Sequence, residues 1–295
     1  MFYRLRRSIK YFKFNRQISR IWDTPPLVIQ DGSPTIVTLV AGYDVQMYIL
    51  AVKALYRRLG RGKIVSILDR DVTAKGRELI RRHLGDVEFV DIDSIDTGAC
   101  PRGGTWERLV YIVRRSEREY VMQMDCDVLC VGPIPEVQEC IEQKRAFTLA
   151  DGIPKKPLAD WANEQHRGDN IVFEFERRAP QYPDSPRLFY LRGSSGFAGF
   201  APGAVTPQTL EDFHKKSEAL LGARWKEWGT EQIASNFLVA NSPNSVGLPK
   251  PKYLTWERHD LPEELSLLHF LGYCRFDRGV FPTFANREID VLLTR

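Results

Sequence analysis

From residue 35 onward, short apolar runs alternate with longer amphipathic stretches. "TIVTLVA" (35–41), "KIVSILD" (63–69) and "VEFVDI" (87–92) have the Val/Ile/Leu-rich look of strands buried on both faces. Between them the spacing predicts a helix running to about Leu59 with Asp44 as its cap, and another across "TAKGRELIRRHLG". A third helix is predicted across "GGTWERLVYIVRRS" (103–116), before a fourth strand, "YVMQM". Such alternation predicts an α/β fold with a mostly parallel central sheet and helices on both faces. Ligands of such sheets bind beyond the carboxyl ends of the strands.

After Asp151 the pattern loosens. Residues 152–187 are rich in Pro, Arg, Lys and Asp and show little periodicity, so they read as a long excursion, a lid or acceptor-facing insertion. Order returns with "LFYLRGSSGFAGFAP" (188–202), a helix from about Thr206 to Leu221, and a further helix in "GTEQIASNFLVAN" (229–241).

The first 34 residues stand apart and read as a basic amphipathic segment and linker preceding a domain spanning 35–295. Residues 1–22 carry Arg4, Arg6, Arg7, Lys10, Lys13, Arg16 and Arg20 and no acidic side chain, whereas the rest of the chain has 35 basic against 38 acidic residues. On a helix Phe2, Leu5, Ile9 and Phe12 share one side, which suits the surface of an anionic membrane. A basic surface helix packed on its own domain explains the pattern equally well. No long apolar run follows the charges, which argues against a secretory signal or a spanning helix. "DTPPLVIQDGSP" (23–34) is a Pro/Gly-punctuated connector.

Composition adds modest limits. Hydrophobic content of 43% and charged content of 27% are those of a soluble globular protein. Five cysteines without CxxC spacing point away from a disulfide framework or zinc site, and toward a reducing, cytoplasmic setting with peripheral contact to the membrane's inner face. Basic charge clusters nowhere beyond the N-terminal segment and no nucleic-acid motif is present, so nucleic acid is not an expected partner.

The chemistry starts at "EYVMQMDCDVLCVG" (119–132). Alternate residues of a strand share a face, so Asp125 and Asp127 would point the same way unless the chain bends. Two carboxylates that close repel, and a hard divalent cation such as Mn²⁺ or Mg²⁺ relieves the repulsion while accepting further oxygen ligands from a diphosphate. The bland alternative has one Asp capping a turn and the other pairing with an arginine.

The stretch "YVMQMDCDVLCVGPIPEV" resembles the Asp-x-Asp segment of GT-A glycosyltransferases, most closely glycosyltransferase family 8 and its bacterial relatives. "HFLGYCR" (269–275) is similar to that family's HxxGxxK element, with Arg in place of Lys. The resemblance implies Asp125, Asp127 and His269 as metal ligands, and Gly272 and Arg275 at the donor phosphates. "GTEQIASN" (229–236) is similar to the family's DQ…N segment, which implies Glu231 and Gln232 beside the anomeric carbon, oriented by Asn236. "LADG" implies Asp151 as a third residue there, and "WERL" implies Arg108 at the donor sugar. "GSSGFAGF" stands where the family has N-x-G, leaving Gly196 to make room for the sugar and Ser194 in place of Asn. "AGYDVQMY" follows the first strand, where the family binds the base; Asp44 and Tyr48 are the candidates, and "LDRD" is a further candidate to face the nucleoside.

The implied reaction moves a sugar from a nucleotide-diphosphate sugar, a UDP-sugar in this reading, to a hydroxyl of a saccharide or lipid-linked saccharide, with retained configuration. Two rivals remain. An Asp-x-Asp phosphatase would carry the motif on its first strand, and a degenerate GT-A fold would bind sugar nucleotides without turnover.

Overall fold

The computed structural model describes residues 2–163 and 168–294, except for the side chains of residues 2–7 and 163. Helix α1 (Phe2–Gln17) opens the chain. Strand β1 (Thr35–Val40) leads to α2 (Val45–Leu59), β2 (Lys63–Leu68) to α3 (Ala74–Leu84), and β3 (Val87–Asp91) to α4 (Trp106–Ser116). Next come β4 (Val121–Met124), β5 (Val128–Cys130), α5 (Pro135–Glu142), β6 (Phe147–Leu149), β7 (Lys156–Pro157), α6 (Ile171–Arg178) and β8 (Phe189–Tyr190). The chain ends through β9 (Ser194–Phe200), α7 (Pro207–Leu221), α8 (Thr230–Asn241), β10 (Val246–Gly247), β11 (Tyr253–Trp256), β12 (Leu267–Phe270) and α9 (Val280–Leu293).

Among the described residues seven strands form the main sheet, in the order β10-β6-β9-β4-β1-β2-β3. Strands β3, β2, β1 and β4 pair in parallel; β9 alone runs against its neighbours β4 and β6. The alternating strands and helices predicted this arrangement, and the sheet is buried on both faces. One face carries the core of α1, α2, α5 and α9, and the other the core of α4, α6, α7 and α8. A smaller sheet, β11-β12-β5, sits beyond the carboxyl end of β4, with β12 antiparallel to β5. It is this smaller sheet that assembles the site.

Three elements depart from the sequence-based expectation. Helix α4 starts at Trp106, not Gly103, because Gly103, Gly104 and Thr105 all take positive φ (84°, 56° and 75°) in a turn the helix cannot include. The 152–187 excursion is not all surface. Ile171 and Phe175 of α6 join the core beneath α7 and α8, together with Trp161 and Tyr182. Helix α1 packs a second apolar stripe, outside the predicted one, into the domain and leaves Ile9 and Phe12 of the predicted stripe exposed. Tyr11, Phe14 and Ile18 are buried in the main core, while Ile9 and Phe12 are 57% and 70% exposed. The side chains of Phe2, Leu5, Arg4, Arg6 and Arg7 lie outside the described residues. Among the described residues no helix is long and apolar enough to cross a membrane.

Candidate active site

Strand β4 stops at Met124, and Asp125, Cys126 and Asp127 form the turn into β5, closed by Val128 N–H donating to Asp125 C=O at 3.2 Å. The chain therefore does bend between the two aspartates. The turn is fixed on both sides: Asp125 N–H donates to the carbonyl of Gly196 at 2.8 Å, and Phe270 N–H to the carbonyl of Asp127 at 2.9 Å. Pairing of β12 with β5 sets His269 opposite Val128, so the strand register itself delivers the imidazole to the turn.

The resulting cluster is oriented by two guanidinium groups. Arg108 donates to Oδ1 of Asp125, and Arg275 Nη2 lies 2.6 Å from Oδ2 of Asp127. Each carboxylate keeps its other oxygen for the centre: Asp125 Oδ2 is 3.7 Å and Asp127 Oδ1 3.5 Å from His269 Nε2. One ligand atom from each of the three residues lies within 4.8 Å of the others. Two carboxylate oxygens and an imidazole nitrogen make a donor set suited to Mn²⁺ or Mg²⁺. His269 Nδ1 is 2.9 Å from Ser194 Oγ, which also accepts Gly196 N–H at 3.1 Å. With Nδ1 protonated toward Ser194, the Nε2 lone pair faces the aspartates, as a metal ligand requires.

Electrostatics fit the same reading. Burial opposes the charged form of Asp127, but Arg275 and then His269 outweigh it and hold the carboxyl below its ordinary range. Burial likewise favours a neutral His269, yet Asp127 and Asp125 raise it, so in the metal-free site a proton competes for the place of a cation. Four acidic residues (Asp44, Asp125, Asp127 and Glu231) face two guanidinium groups, an excess of negative charge that a divalent cation offsets.

The remaining predicted residues divide. Asp44 does not cap α2 through its side chain; it lies 3.8 Å from Arg275 Nη1, at the edge of the site. Tyr48 does not reach the site. It is fully buried on α2, bonded to Ser66 Oγ at 2.7 Å, and burial raises its hydroxyl far above its usual range. Gly196 makes room for the histidine, because a Cβ there would stand 2.5 Å from His269 Cε1. Gly272 makes room for Arg275, whose Nη2 would be 3.1 Å from an added Cβ.

Glu231 turns inward. Its oxygens accept from Gln123 Nε2, Thr105 Oγ1 and Ser195 Oγ, each at 2.9 Å, and Arg108 stands 3.7 Å away. Burial raises its carboxyl even so. Gln232, the next residue, keeps a partly exposed side chain. Asn236 orients neither; it holds Gly193 C=O at 2.8 Å. Asp151 takes a positive φ of 49° and accepts Thr255 N–H at 2.7 Å, which places it against β11, the neighbour of the strand that carries His269. Of the "LDRD" pair, Asp71 accepts Gly42 N–H at 2.7 Å and so shapes the loop after β1.

Gln123 and Ser195 were not among the predicted residues. Gln123 had a signal, a lone amide in the apolar run "YVMQM", where burial demands a partner. Tyr11, which accepts a hydrogen bond from Arg275 Nη1 at 2.8 Å, had none.

No family model matches the chain, and no curated protein matches it. Solved structures do. The galactosyltransferase LgtC, in complex with donor and acceptor sugar analogs, superposes with a TM-score of 0.50 at 11% identity, over 88% of this chain and 96% of that one. The bifunctional glycosyltransferase WbbM in its apo form gives a TM-score of 0.52 at 11% identity, over 89% of this chain. The apo form of the glycosyltransferase GlyE from Streptococcus pneumoniae gives 0.52 at 14% identity, over 88% of this chain. The match spans 50% of WbbM and 62% of GlyE. Identities this low carry the fold alone, and on that footing the chain has the GT-A fold of nucleotide-sugar glycosyltransferases.

Proposed function

We propose that the chain is a metal-dependent glycosyltransferase. It moves a sugar from a nucleotide-diphosphate sugar, a UDP-sugar in our reading, to a hydroxyl of a glycan or lipid-linked saccharide. One observation carries this: the two aspartate oxygens not held by arginine converge with His269 Nε2 on a single point at the carboxyl end of β4. That is the place and the donor set for a Mn²⁺ or Mg²⁺ bridging to a diphosphate.

In this reading Asp125, Asp127 and His269 hold the cation, which when bound offsets the charge of the departing diphosphate. Arg275 takes a phosphate oxygen with a guanidinium that is always charged. Arg108, locked by Asp125 and Glu231, fixes the first aspartate and lines the sugar side. Gln232 and Asp151 supply polar atoms near the anomeric carbon, and Glu231 acts on the site through Arg108. Among the described residues none is singled out as a nucleophile, and we favour front-side attack by the acceptor hydroxyl with retained configuration.

The test is a screen of nucleotide sugars for Mn²⁺-dependent donor hydrolysis, with the linkage anomer of any transfer product read by NMR. Hydrolysis of one donor supports the reading, and an inverted product overturns retention. Metal-dependent nucleotide binding with no turnover of any donor would favour the binding-protein rival. The exposed Ile9 and Phe12, flanked by Lys10, Lys13 and Arg16, support a peripheral contact with anionic lipid and hence a lipid-linked acceptor.

A further inference from the structure

Helix α1 precedes the βα pattern, yet it reaches the site. Tyr11 is buried, and its hydroxyl accepts from Arg275 Nη1 at 2.8 Å while Arg275 Nη2 meets Asp127 at 2.6 Å. The tyrosine ring is held edge-on by Tyr43 and Phe276, with centroids 4.9 and 5.0 Å away. Phe14 packs on the same Phe276 at 5.0 Å, and Lys10 pairs with Asp277 at 3.2 Å. The helix thus grips Arg275 and the two residues that follow it, Phe276 and Asp277.

We propose that Tyr11 is a positioning residue for Arg275, so that α1 is a working part of the donor-diphosphate site. This rests on the functional reading above. A guanidinium is a planar fork, and its plane must be set before it can meet a phosphate squarely. Asp127 at Nη2 and Asp44, 3.8 Å from Nη1, already face this guanidinium; the neutral Tyr11 hydroxyl fixes Nη1 at hydrogen-bond distance without adding a third negative charge. Arg275 Nε is buried and makes no hydrogen bond among the described residues, so the fork is held through Nη1 and Nη2 alone.

Tyr11→Phe separates the two roles of the side chain, since it keeps the packed ring and removes the acceptor. The experiment titrates UDP and UMP into the full chain with Mn²⁺, for the wild type, Tyr11→Phe, Arg275→Met and the double variant, alongside melting temperatures. We expect Tyr11→Phe to weaken UDP about fivefold and UMP by much less, with an unchanged melting temperature. In the Arg275→Met background it should add nothing. Wild-type UDP affinity in Tyr11→Phe, or losses that add in the double variant, overturns the proposal. So does equal weakening of both nucleotides with a lowered melting temperature, which marks a structural role. A wild type that binds neither nucleotide overturns the functional reading, and this inference with it.

Discussion

The two arginines of the site look alike in sequence and are held in opposite ways. Arg108 is 2% exposed, and its partners Asp125 and Glu231 are tied to core elements, Glu231 through Gln123, Ser195 and Thr105. Arg275 sits nearer the surface and is held by Asp127, by Asp44 at longer range, and by a tyrosine from the first helix. One guanidinium is part of the fold; the other is the one that the proposed function assigns to a ligand. Desolvated ion pairs are costly to break, so a buried arginine makes a good frame and a poor exchangeable contact.

The contrast is broken or sharpened first by two substitutions. Arg108→Met leaves Glu231 buried without its cationic partner and should destabilise the fold by about 3–5 kcal/mol, seen in urea denaturation and not rescued by Mn²⁺. Arg275→Met should cost less, because a cation at Asp127 replaces the lost charge; added Mn²⁺ should restore its melting temperature while UDP affinity stays low. If Mn²⁺ rescues both variants equally, the distinction between frame and ligand fails.

A smaller effect lies behind His269. Ser194→Ala removes the partner of Nδ1 and should weaken Mn²⁺ binding by about tenfold, measured by Mn²⁺ titration, with little change in stability. Unaltered metal affinity would mean that the ring is oriented by packing alone.

Farther away, His83 reports on how the N-terminal connector is docked. Burial, then Lys53, lowers its pKa from 6.5 to about 4. The fold holds the ring neutral while the unfolded chain takes up a proton, so stability should fall as pH drops from about 6.5 to about 4 and level off below. His83→Gln should flatten that limb in denaturant titrations across pH; an unchanged limb would place its origin elsewhere. The weakest effect is expected on the outer face of α1. Ile9→Asp with Phe12→Asp should reduce pelleting with anionic liposomes at low salt and leave stability within about 0.5 kcal/mol. Unreduced pelleting contradicts the membrane reading.

The sheet and the Asp pair were legible because strand periodicity and a motif at a strand end are local signals, whereas His269 was reached only through the resemblance of its segment to a family element. What lay between elements was not legible. Positions 9 and 12 and positions 11, 14 and 18 each make an apolar stripe on α1, and helical spacing cannot tell which stripe packs. Tyr48 follows the correct strand, but one turn into α2 it faces the core and Ser66. Ser194 stands where the family pattern has Asn. A hydroxyl can hold an imidazole nitrogen there, and Gly196 beside it spares the ring a clash. The inward turn of Glu231 depends on Gln123 and Ser195 of neighbouring strands, a long-range pairing that sequence spacing does not encode.

The central claim is that Asp125, Asp127 and His269 hold a divalent cation for a nucleotide diphosphate. Calorimetric titration of UDP into the wild type and Asp127→Ala, each with and without Mn²⁺, tests it most directly. The account predicts binding by the wild type only when Mn²⁺ is present, and its loss in the variant. Undiminished Mn²⁺-dependent UDP binding by Asp127→Ala would contradict it.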